Sequence, residues 1–202
     1  MLKISLKNVL TTLMLVMFVF QAFAGEKEEK SLLWKISGNG LKENSYLFGT
    51  IHMICKDQFY MDERIENALA SSKVLAMELN MADPNLMAEM QKLSVNPGFA
   101  NNKGEFSAEQ ASALVKFLTT SYGAGLDQLG ILKPFVLSSM VLVKMLPCTE
   151  QSSYELFLTE KAKEQSKTVK GLETVAFQMG VFDQIPQKLQ IDELGKMVTN
   201  PE

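Results

Sequence analysis

A mixed α/β fold (α+β in its segregation of elements) is predicted, with a central mixed sheet that opens on an N-terminal β-hairpin and is flanked by many helices. Two patterns predict it. Short apolar runs bounded by turn residues crowd the first third of the chain, and helix-period patterns with recognisable caps fill the rest. The order reads as two strands, a helix, a strand, several helices, then a last strand and more helices. At 202 residues with 47% hydrophobic content, the chain suits one domain with a proper core.

The elements follow in order. Residues 32–37 have strand character, and Gly38-Asn39-Gly40 begins a turn that extends through Asn44. Residues 45–52 form the second strand, completing a hairpin. Residues 62–71 read as a short helix with Ile65, Ala68 and Leu69 on one face. Residues 73–79 form an apolar strand interrupted by one carboxylate, Glu78. Pro84 suits the first turn of a helix reaching Leu93. Ser107 with Gln110 makes a capping box for a helix to about Tyr122, which Gly123 and Gly125 end. Lys133-Pro134 opens an apolar helix that Pro147 stops. Ser152 or Ser153 starts another, to about Lys163. Residues 168–172 read as a short strand, Thr174 caps a helix to Phe182, and residues 186–198 make one more. Asn200-Pro201-Glu202 resembles the start of a further helix, and four strands are few for this much helix; both predict a domain incomplete at its C-terminus.

Residues 1–24 read as a secretory signal peptide. Lys3 and Lys7 give a positive start, residues 9–20 an uncharged and largely apolar run, and Ala22-Phe23-Ala24 a small-x-small cleavage site. The run is short for a membrane span. Residues 25–31 form a charged spacer, and residues 32–202 the domain. Removing Lys3 and Lys7 from 20 basic residues leaves 18 against 23 acidic ones, net −5. The expected product is exported, periplasmic or secreted, with no stable membrane span after cleavage.

The acidic balance argues against nucleic acid as a partner. Arg64 is the only Arg, so no Arg cluster is present to grip phosphates. Cys55 and Cys148 are the only cysteines. An oxidising compartment favours a disulfide between them; two buried thiols are the plain alternative. A Cys55–His52 catalytic pair is opposed by strand geometry, which sends residues three apart to opposite faces. The 13 Met residues read as core filler rather than a copper surface. No G-x-S-x-G elbow, phosphate-binding P-loop or H-E-x-x-H helix occurs.

His52 is the only histidine and follows a Gly at the end of a predicted strand, where sheet proteins often place ligands and catalytic groups. Glu78 sits on an apolar strand, so it needs a partner, a metal or an open strand end. Glu173 follows the last predicted strand and precedes a helix, a position for which the helix dipole alone is the preferred explanation. Glu155, in the first turn of its helix, has the same simple explanation. If these groups converge, one imidazole plus carboxylates favours Mn²⁺, Mg²⁺ or Ca²⁺, and Zn²⁺ is compatible with a His and carboxylates. A metal-free version uses His52 as general base with a carboxylate orienting it.

Several of these segments together resemble the TraB/GumN family: Leu33-Trp34-Lys35-Ile36-Ser37, Ser45-Tyr46-Leu47-Phe48-Gly49-Thr50-Ile51-His52, Met77-Glu78-Leu79, Lys133-Pro134-Phe135, Tyr154-Glu155-Leu156, and Gly171-Leu172-Glu173-Thr174 with Gln178 after it. The resemblance runs from about residue 32 to 190. That family is related to the TIKI proteins, described as metal-dependent proteases. It implies a site built around two G-x-x-H motifs and nearby acids. Gly49 to His52 matches the first motif, Glu78 the acid after the next strand, and Glu173 with Gln178 a later acidic segment. The resemblance therefore implies a metal-dependent hydrolase of peptides or proteins, with His52 and Glu78 as metal ligands and His52 and Glu173 as catalytic groups. A second G-x-x-H is absent, since His52 has no companion. A truncated member, or a non-catalytic exported binding protein using the same cleft, is the alternative.

Overall fold

The computed structural model describes residues 30–200. The expected signal peptide, and most of the charged spacer, lie outside the described residues. Within them the class is mixed α+β, as the sequence predicts. The elements run β1 (Leu33–Ile36), β2 (Ser45–Phe48), β3 (Ile54–Cys55), α1 (Glu63–Ser71), β4 (Val74–Met77), α2 (Leu86–Leu93), α3 (Ala108–Tyr122), α4 (Leu126–Leu129), α5 (Pro134–Met145), β5 (Gln151–Ser152), α6 (Tyr154–Glu164), β6 (Thr168–Gly171), α7 (Val175–Asp183) and α8 (Gln187–Thr199).

The strands differ from the expected single sheet. They form three two-stranded ladders: β1 with β2 and β3 with β5, both antiparallel, and β4 with β6, parallel. The hairpin is present, with Leu33 opposite Phe48 and Ile36 opposite Ser45. Gly38, Asn39 and Gly40 all have positive φ (85°, 47° and 82°), which the two glycines and an asparagine tolerate. β2 stops at Phe48 rather than running on to His52. Gly49 still donates to the Leu32 carbonyl, and the chain then leaves β1 to reach β3. β4 likewise ends at Met77, so Glu78 lies just past the strand.

Helix starts follow their caps. Asp62 accepts from the Ile65 N–H at the start of α1, Ser153 from Leu156 at α6, and Thr174 from Phe177 at α7. The capping box is complete at α3: Ser107 accepts from the Gln110 N–H, and Gln110 reaches back to the Ser107 N–H. α2 starts two residues later than Pro84 suggests, because Asp83 accepts from the Asn85 N–H in a local turn.

The main core is helical. Phe106, Leu114, Leu118, Leu126, Leu137, Val141, Ile191 and Leu194 form one buried cluster, joining α3, α4, α5 and α8. Each fully buried Leu is worth roughly 1.5–3 kcal/mol relative to exposure. A second cluster, Leu86, Val175 and Met179, docks α7 on α2. These helices anchor one side of the molecule and leave β2 and β4 flanking an open cleft on the other.

Candidate functional site

Two short elements and one covalent bond bring the site together. β3 pairs with β5 through Ile54–Ser152 and Cys55–Gln151. The Lys56 N–H extends the ladder to the Glu150 carbonyl. Cys55 and Cys148 form a disulfide, with Cα atoms 5.7 Å apart. The pairing that export favours is therefore present, and the Cys55–His52 catalytic pair is excluded because Cys55 is bonded elsewhere. Three residues before Cys55 stands His52; just after β5, α6 begins and carries Glu155. Joining β3 to β5 thus joins His52 to Glu155. Tyr154 pins the same turn. Its hydroxyl donates to the Tyr60 carbonyl and accepts from the Tyr60 N–H, both at 3.0 Å, while its ring stacks on Phe59.

Glu155 is the most constrained member. Its carboxylate accepts from the Thr50 hydroxyl at 3.1 Å and the Ser153 hydroxyl at 2.9 Å, and it lies 3.2 Å from His52 Nδ1. Only 17% of the side chain is exposed, against 75% for His52. A carboxylate can only accept, so in this contact Nδ1 is the donor. Nε2 faces Glu78, whose Oε2 is 3.8 Å away and accepts from Gln178 Nε2 at 3.2 Å. The His52 ring thus lies between two carboxylates, hydrogen-bonded to Glu155 and facing Glu78.

Of the residues expected from sequence, His52 and Glu78 come together, and Gln178 joins them. Glu173 sits differently. Its backbone N–H donates to the Glu78 carbonyl at 2.9 Å just past the end of the β4–β6 ladder, but its side chain is not among the cleft-lining groups. Glu155, which sequence reasoning assigned to helix-dipole stabilisation, takes the position beside His52. The signal that could have found it is the Ser153 cap next to an acid in a segment resembling the family.

Nε2 of His52 and Oε2 of Glu78 are spaced so that one ion about 2.0–2.2 Å from each could bridge them. Glu155 is committed to Nδ1, on the other edge of the ring. Among the described residues no group of three His, Cys, Asp or Glu side chains is placed to hold a metal ion. Two donors fall short of the three protein ligands a catalytic zinc uses, while Mg²⁺ is commonly held through one or two carboxylates with water.

The pair opens onto a cleft of about 1160 Å³. Its floor and walls come from β2, β4, α1 and the first turns of α6, with Met81, Met87 and Met90 at one side. No helix among the described residues is long and apolar enough to cross a membrane.

No curated protein and no solved structure matches the chain. The model of the TraB/PrgY/gumN family matches residues 32–202, a span that contains the hairpin, His52, both of its carboxylate neighbours and the whole cleft. The chain belongs to the TraB/PrgY/gumN family.

Proposed function

We propose that the protein is an exported hydrolase acting on peptide bonds, with His52 as general base. The observation that carries this reading is the imidazole held between Glu155 and Glu78 at the mouth of the cleft. Nε2 takes a proton from a water molecule in the cleft. Glu155 keeps the Nδ1 proton in place and stabilises the imidazolium as it forms. Glu78, steadied by Gln178, accepts a second hydrogen bond from the same water and so directs its oxygen at the scissile carbonyl. The proton then passes from Nε2 to the leaving amine, and the products are a carboxylic acid and an amine.

Export is supported by the N-terminal sequence pattern and by the Cys55–Cys148 bridge. The family resemblance brings metal dependence into the proposal, on Mn²⁺, Mg²⁺ or Zn²⁺. His52 and Glu78 are the donors available to it, and no step above is routed through a metal.

A second reading, a non-catalytic binding protein, is favoured by the incomplete donor set and the single histidine. One experiment separates the two. Hydrolysis of a fluorescein-labelled unfolded polypeptide is followed with EDTA and with each metal in turn. The hydrolase reading expects turnover that falls roughly 10²–10⁴-fold in His52→Ala, and a kcat loss in Glu155→Gln with little change in KM. Turnover only with added metal places the metal within the reading. Equal turnover in His52→Ala, or none under any condition, overturns it in favour of binding.

A further inference from the structure

The cleft is bounded by two strand edges rather than by sheet faces. Successive side chains of a strand point to opposite faces, so a pocket lying over one face would touch alternate residues. This cleft touches every residue of β2 and every residue of β4, yet only Leu33 of β1 and none of β6. It therefore lies beside both strands, in the plane in which they would hydrogen-bond. β2 and β4 run in the same direction. Lys73 at the start of β4 pairs with Glu43 before β2, and Glu78 after β4 meets His52 after β2. The two strands are not bonded to each other.

Register identifies the backbone groups that have no strand partner among the described residues. The Gly49 N–H donates to Leu32, so Ser45 and Leu47 face β1, and Tyr46 and Phe48 turn their N–H and C=O groups to the cleft. The Leu172 N–H donates to Met77, so Leu75 and Met77 face β6, and Val74 and Ala76 face the cleft. Natural edge strands are commonly blunted with Lys or Pro. The outer strands follow that rule, with Lys35 in β1 and Lys170 in β6. The inner ones, Ser-Tyr-Leu-Phe and Val-Leu-Ala-Met, carry no charge and no proline.

We propose that the cleft is a strand-accepting slot, in which one extended segment of another polypeptide hydrogen-bonds to β2 on one side and β4 on the other. Recognition is through the backbone, as in other strand additions, so it tolerates many sequences. Charge selects further. The cleft is lined by three carboxylates, Glu43, Glu78 and Glu155, against one ammonium, Lys73. Because Lys73 is paired with Glu43, the unbalanced negative charge lies at the His52 end. The occupant is an apolar extended segment with a positive group, a Lys, Arg or free amino terminus, at that end. The inference shares its cleft with the hydrolase reading and its peptide substrate, but does not require turnover.

The test is binding to the full chain carrying His52→Ala, so that cleavage cannot consume the probe. The probe is a hexapeptide of alternating valine and threonine with an N-terminal lysine and a C-terminal fluorescein, read by anisotropy. The expected result is saturable binding that weakens about tenfold when one interior amide is N-methylated, since each interior N–H serves one edge. Replacing the lysine with acetylated glutamine should weaken it severalfold. Ala76→Pro removes an N–H facing the slot without breaking the β6 ladder, and should also cost about tenfold. The N-methylated probe decides the question even if that variant misfolds. Equal affinity for the N-methylated probe, or no saturable binding, overturns the proposal. So does a dimer that Ala76→Pro converts to monomer, because the occupant is then a second copy. If the wild-type protein binds but never cleaves the probe, the slot stands and the hydrolase reading falls.

Discussion

Removing the Cys55–Cys148 disulfide should destabilise the protein and should do so unevenly. The bridge spans 93 residues of sequence. The chain-entropy relation for a loop of that size gives about 4.7 kcal/mol at 25 °C, against the 2–4 kcal/mol typically measured. Cys55 is 3% exposed, so alanine rather than serine should replace it, which avoids burying an unpaired hydroxyl. The expected loss for the Cys55→Ala, Cys148→Ala double variant is about 2–5 kcal/mol. In thermal unfolding 3 kcal/mol corresponds to about 6–12 °C for a domain of this size. Far-UV circular dichroism in urea reports the global change, because helices dominate the signal. Reduced wild-type protein should agree with the double variant to within about 1 kcal/mol. The β3–β5 ladder contains only two residue pairs, so its amides should lose protection from hydrogen exchange well before those of α3 and α8. A change under about 1 kcal/mol would refute the claim that this bridge constrains the chain. Uniform loss of protection would refute the claim that it specifically holds His52 against Glu155.

Two further predictions concern the scaffold. Leu194, with none of its surface exposed among α3, α5 and α8, should cost about 2.7–5 kcal/mol as Leu194→Ala in urea unfolding, whereas Leu189→Ala, at a half-exposed position, should stay within about 0.5 kcal/mol. Asp62, the cap of α1, is held down to about 2 by the hydrogen bond from the Arg64 guanidinium, with help from the Tyr60 hydroxyl and the Ile65 N–H. Its folded pKa lies below the unfolded value, so its contribution is complete above pH 4 and is lost as the pH falls toward 2. Asp62→Asn should therefore flatten the pH dependence of stability in that window, and an unchanged acid limb in acid unfolding would contradict the assignment.

The caps were legible because they are local. Ser107 and Gln110, three residues apart, need only each other and the backbone to start α3. Gly38-Asn39-Gly40 turns the hairpin through its own torsional freedom. The two-residue strands β3 and β5 were not legible, since two residues are too few to show an alternating pattern and the disulfide and the ladder hold them together. Nor was Gly195, where a Cβ would collide with the Gln110 side chain already fixed in the capping box. That requirement exists only because α8 crosses α3.

By itself the sequence determined the family, the mixed class and the helix starts, because each rests on residues close together in the chain or on a pattern that spacing preserves. Only the tertiary structure decided which acid stands beside His52. Glu155 is 103 residues away in sequence, and its approach depends on the disulfide, the β3–β5 ladder and Tyr154, none of which leaves a periodic trace. The same holds for the open edges of β2 and β4. Strand character is written locally, but whether a strand edge is paired depends on what the rest of the chain brings alongside it.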